Sequence, residues 1–180
     1  MKKFLAILMI IVALFVGCSK PTTPPAEPPV VEISKPLTIA MNLGCTLTKG
    51  YILFDGQWAT IKKYVPAAIT GQIIPIANTF AAALKLYDSA VITWFDTKSE
   101  PSNFLQLRDN LLKLKDDLMP LIAKIQEIIK QKQAAEKAVQ PIDEVMTLFG
   151  AVKSEKGLFT CTIDDLKALN EQLAKLPAIS

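Results

Sequence analysis

The sequence predicts an all-α fold, an antiparallel hairpin or bundle of about four to five helices behind a proline-rich tether. Three observations carry that prediction. Apolar residues recur at alternating spacings of three and four over long stretches, as they must to line one face of a helix. Prolines gather near the amino end, where 21, 24, 25, 28, 29 and 36 are half of the 12 in the chain. No segment shows the strict alternation of a half-buried strand, although 157–162 has room for a short extended piece.

The longest pattern runs from Ser102 to Lys137. Phe104, Leu107, Leu111, Leu114, Leu118, Leu121, Ile125 and Ile128 form a heptad seam there. Leu105, Leu112, Ile122 and Ile129 widen it, which predicts a helix touching two neighbours, bent at Pro120. Upstream, Ile73, Ala77, Phe80, Leu84, Tyr87, Val91 and Trp94 repeat the spacing in a helix ending near Asp96. The polar run 97–102 turns the chain, so the two helices make an antiparallel hairpin. An intermolecular coiled coil is the alternative.

Before the hairpin, 37–65 is apolar but interrupted by Gly44, Gly50 and Gly56, which lower helix propensity. The expectation is one helix from about Thr46 to Tyr64 with its start left open, the glycines allowing close packing. After the hairpin, Pro141 opens a short helix carrying Ile142, Val145, Met146 and Phe149, closed by Gly150. Thr162 followed by Asp165 has the pattern of a capping box, and Ile163, Leu166, Leu169, Leu173 and Leu176 line the final helix.

The amino end is organised differently. Lys2 and Lys3 precede the uncharged run Phe4 to Val16, and Gly17-Cys18 follows. A basic start, a short apolar core and a small residue before the cut compose a secretory signal at 1–17. Thirteen apolar residues are too few to cross a hydrocarbon core, which needs about 20. Phe15-Val16-Gly17-Cys18 resembles the lipobox of bacterial lipoproteins, with Phe15 standing where that family most often has Leu. The resemblance covers only residues 1–20. It implies that the Cys18 thiol receives diacylglycerol, that the signal is cut away before it, and that the new amine is often acylated, with palmitate among the chains. Ser19, rather than Asp, resembles outer-membrane cargo facing the periplasm if the host is Gram-negative. Residues 18–36 then form the lipidated Cys and tether. At ~3.1 Å per residue in polyproline II, the 18 residues from Ser19 reach roughly 55 Å. Residues 37–180 form one helical domain, which 51% apolar composition suits.

Composition also narrows function. The formal charge is +3, and loss of Lys2 and Lys3 leaves 18 basic against 17 acidic side chains, a balance that does not describe a nucleic-acid binder. Arg108 is the single arginine, so an arginine cluster for phosphate is excluded. With no histidine, the usual general base and the commonest nitrogen ligand for metals are missing. The acidic pairs Asp116-Asp117, Asp143-Glu144 and Asp164-Asp165 point apart on a helix and serve as solvated faces or caps. No phosphate-cradling loop is present. The expectation is therefore no catalytic residue, no cofactor and no metal site.

Cys45 and Cys161 are the remaining thiols, and an oxidising compartment favours joining them in a disulfide. Trp58, Trp94, Tyr51, Tyr64 and Tyr87 are expected in the core, with an aromatic ligand groove as the alternative. Tyr64 to Leu84 carries no charge over 21 positions, the length of a membrane span, but Pro66, Gly71, Gln72, Pro75 and Asn78 weaken insertion. A core helix is the expectation. Together these readings predict a membrane-anchored envelope lipoprotein whose non-catalytic bundle meets an envelope protein. The alternatives are a lipid- or small-ligand-binding bundle and a prophage-encoded accessory lipoprotein.

Overall fold

The structure, a computed structural model, describes residues 33–131, 136–152 and 157–180, and of 136–141 the backbone alone. The signal at 1–17, Cys18 and the tether as far as residue 32 lie outside the described residues.

Among the described residues the architecture is five helices and no strand: α1 Lys35–Ile61, α2 Ala67–Thr97, α3 Phe104–Gln131, α4 Glu136–Ala151 and α5 Ile163–Lys175. Helices α1 to α4 pack as a closed ring, each on its sequence neighbours and α4 back on α1. Short connections force consecutive helices to run antiparallel. Side-chain contacts agree, since Tyr87 meets Ala40 while Phe80 meets Tyr51. The last helix, α5, lies in the groove between α1 and α2.

One core unites the five helices. Along α2 it takes Ile73, Ala77, Phe80, Leu84, Tyr87, Val91 and Trp94, the stripe that the spacing predicts, and Ile69 one turn before it. Three aromatic rings tie the ring of helices together, Phe80 packing at 6.0 Å from Tyr51 and edge-on at 5.4 Å from Phe149. Helix α2 ends where Lys98 takes the left-handed conformation, φ 59°.

Several elements depart from the sequence reading. Helix α1 begins at Lys35, not near Thr46, and absorbs the last two residues assigned to the tether. Pro36 suits this first turn, where its missing N–H and fixed φ cost nothing. The glycines that argued against an early start are seats for neighbours: a Cβ on Gly50 would stand 2.6 Å from Phe149 Cε1, and one on Gly44 2.6 Å from Asp88 Oδ1. A Cβ on Gly56 would meet nothing within 4 Å among the described residues. Helix α4 begins at Glu136, ahead of Pro141. One lost hydrogen bond near the start is outweighed by burial of Ile142, Val145 and Phe149.

Helix α3 continues through Pro120 and meets two neighbours, α2 and α4. Its buried line is Phe104, Leu111, Lys115, Leu118, Ile122, Ile125 and Ile129, so the helix is turned toward Ile122 and Ile129 relative to the heptad seam. Leu107, Leu114, Leu121 and Ile128 are half-buried at its margin, and Leu105 is 55% exposed. The stripe is broad because two neighbours share it, so the seam alone does not locate its centre.

Candidate functional site

Two places concentrate what chemistry the described residues offer. One is a polar node in the core where α1, α2 and α5 meet. The other is an apolar cavity among α1, α2 and α3.

The node begins with Cys45 and Cys161, which form the expected disulfide across a sequence separation of 116 residues. The bond fixes 158–162 to α1. Two backbone donors reinforce it, Phe159 N–H bonding Thr46 Oγ1 at 2.8 Å and Cys161 N–H bonding Asn42 Oδ1 at 3.1 Å. The segment at 157–162 is thereby irregular chain held by α1 side chains, not a strand. Thr162 then caps α5 as the sequence predicts: its hydroxyl accepts from Asp165 N–H, and Asp165 Oδ2 accepts from Thr162 N–H. The bond from Thr162 N–H, joined by the Thr162 hydroxyl, holds the Asp165 carboxyl below the usual range.

One residue from Cys45, Gly44 receives Asp88 of α2 and Leu166 of α5 against the same bare face. Asp88 is fully buried, and its Oδ2 accepts a 2.7 Å hydrogen bond from the Thr48 hydroxyl. Its Oδ1 has no hydrogen-bond partner among the described residues. Burial pushes the Asp88 carboxyl up to about 7, against the opposing pull of the Thr48 hydrogen bond. Beside it, Tyr87 donates to the Ala40 carbonyl at 3.1 Å, and burial, then Asp88, raises the phenol.

Sequence reasoning missed Asp88. The signal was present, because Asp88 sits four residues after Leu84 on the stripe of α2, where a solvated carboxylate has no place. Lys115, four residues after Leu111, is the parallel case. It is nearly as buried but reaches out to Asp116 Oδ1 at 2.6 Å, whereas Asp88 is too short to escape.

The cavity, of about 260 Å³, is lined by Pro36, Ile39 and Leu43 of α1, Tyr87 and Trp94 of α2, and Phe104 of α3, with Glu100 and Arg108 also on its wall. Its origin is the length of α4. That helix has 16 residues where its ring partners have 27 to 31, and Phe149, near its end, meets the middle of α1 at Gly50. The N-terminal half of α1 therefore has no α4 beside it. Arg108 bonds Asp109 Oδ1 through both Nε and a terminal nitrogen, at 3.0 and 2.8 Å.

Compared with protein-family models, with curated proteins and with solved structures, the chain matches none of them.

The acidic pairs stay apart. Asp116 pairs with Lys115, Asp143 accepts from Gln126 and faces Lys130 at 3.7 Å, and Asp165 caps α5. Among the described residues no three metal-ligating side chains converge. Tyr51, Tyr87, Trp58 and Trp94 are core residues, and Tyr64 is half-buried. Trp58 has a second task, since its Nε1 donates to the Ser180 backbone oxygen at 3.1 Å. Asn78 exchanges two hydrogen bonds with Ile179, so the segment after α5 is tied across α1 and α2.

Proposed function

We propose that this chain is a lipid-anchored protein of the bacterial envelope whose helical domain binds a partner there and catalyses nothing. The observation that carries the reading is Phe15-Val16-Gly17-Cys18 directly behind a 13-residue apolar run. Each buried methylene of the acyl chains contributes about 0.8 kcal/mol, and two or three chains make release negligible. The proline-rich segment after Cys18 supports the reading as a spacer that holds the bundle off the bilayer. An envelope protein is the proposed partner.

The test is made in the native host. Intact mass should show a chain beginning at Cys18 and bearing acyl groups, and Cys18→Ala should leave the membrane fraction. An unmodified terminus, or unchanged fractionation of Cys18→Ala, refutes the anchor. The apolar cavity beside Trp94 supports a second reading, a bundle that takes up a small lipid or apolar ligand. Native mass spectrometry showing bound lipid is its expected sign, and a clean protein mass counts against it.

A further inference from the structure

Asp88 is a carboxyl that the fold has buried without a counter-charge among the described residues. Charged groups on every element around it are engaged elsewhere or turned away. On α1, Lys49 lies 4.5 Å over the Phe159 ring, and Asp55 stands nearly two turns beyond Thr48. On α2, Lys85 lines the groove toward Leu173, and Tyr87 bonds Ala40. On α3, Arg108 holds Asp109. On α5, Lys167 faces Asp96 at 3.4 Å, Asp165 closes the cap, and Asp164 and Glu171 are exposed acids. Among the described residues Thr48 alone bonds the carboxyl.

The cover over this group is the shortest helix among the described residues. Helix α5 has 13 residues, of which Leu166 and Leu173 are buried, and a helix of that length is marginal without its packing. It is also retained at both ends. The Cys45–Cys161 bond holds the chain two residues before it, and the Asn78–Ile179 pair holds the chain after it.

We propose that Asp88 is a proton-operated latch for α5: with the carboxyl protonated the helix stays seated on α1 and α2, and when the proton leaves to solvent the helix lifts on its disulfide hinge so that the carboxylate is hydrated. Lifting uncovers the Gly44 face of α1 together with Leu166, an apolar surface that the closed form hides. The latch is independent of whether Cys18 carries lipid.

The sign follows from linkage. A hydrated aspartate loses its proton near 4, and the buried Asp88 near 7. Between these values the open form binds fewer protons, so the opening equilibrium rises about tenfold per pH unit, then levels above the higher value.

Hydrogen exchange read by mass spectrometry on the full chain tests this. After correction for intrinsic exchange, peptides of α5 should lose protection about tenfold per pH unit from 5 to 7 and level off above, while peptides of α3 stay constant. In Asp88→Asn the α5 profile should be flat. In Thr48→Val, which removes the bond favouring the carboxylate, the levelling point should move to higher pH. Protection of α5 that ignores pH in the unaltered chain, or that changes in step with α3, overturns the latch. So does a slope that persists in Asp88→Asn. The unaltered chain, with α3 as internal reference, decides by itself if the variant does not fold.

Discussion

Helices α1 and α2 are both long and apolar enough to cross a membrane by length and composition, yet they use that apolarity differently. In its most apolar 18-residue stretch α1 is 67% buried within the protein, and α2 is 28% buried. Each touches three other helices, α1 meeting α2, α4 and α5, and α2 meeting α1, α3 and α5. Those neighbours cover most of α1, and its hydropathy is that of a central core helix. Helix α2 buries one stripe and turns an uncharged face of small residues outward, with Ala68, Gly71, Pro75, Thr79 and Ala82 along it and Leu86 61% exposed. Hydropathy by itself does not separate the two cases. The share of the helix that its neighbours cover does, and α1 records that cover at Gly44 and Gly50, where those neighbours touch.

The largest way to disturb α1's central role is to cut its covalent link to 158–162. Replacing Cys45 and Cys161 together by Ala frees a loop of 116 residues in the unfolded chain. Loss on the order of 4 to 5 kcal/mol is expected by the chain-entropy account. Denaturant unfolding measures it, and an unchanged midpoint would mean that α5 docking, not chain closure, carries the energy.

A smaller and more local disturbance is Gly50→Ala. Its new methyl would stand 2.6 and 2.9 Å from two carbons of the Phe149 ring, which is itself fully buried against Phe80. The ring has no free side to move toward, so overpacking of about 1 to 3 kcal/mol is expected. That exceeds the gain of less than about 1 kcal/mol from replacing glycine inside a helix. Thermal unfolding should show a lower midpoint. A midpoint at or above that of the unaltered chain would show that α4 shifts freely on α1.

Much of this was legible in the sequence. The stripe of α2, the pairing of Cys45 with Cys161 and the Thr162-Asp165 cap are each set by local spacing or by a small number of candidates. What escaped depends on neighbours. The start of α1 was hidden because Gly44 and Gly50 read as helix-weakening, and their reason, Asp88 and Phe149 lying on them, belongs to other helices. The facing of α3 was hidden for a related cause, since Ile122 and Ile129 reach the centre because α3 packs on α4 as well as on α2. Asp88 escaped because a single acid on an apolar stripe is legible as an anomaly, while its burial at a three-helix junction is not.

The two helices should respond with opposite sign to one and the same substitution. Gly71 lies on the outward face of α2, exposed and with nothing among the described residues within 4 Å of the position a Cβ would take. Gly71→Ala therefore meets no neighbour and removes only the conformational freedom that glycine loses on folding. A gain of roughly 0.5 to 1 kcal/mol is expected, seen as a higher thermal midpoint. Set beside the loss at Gly50, the opposite sign would separate a helix surrounded by its own chain from one whose outer face is open. Should Gly71→Ala instead lower the midpoint, and lower it more as protein concentration rises, the outer face of α2 is in contact with a second molecule, and its small uncharged residues are then the seat of that contact.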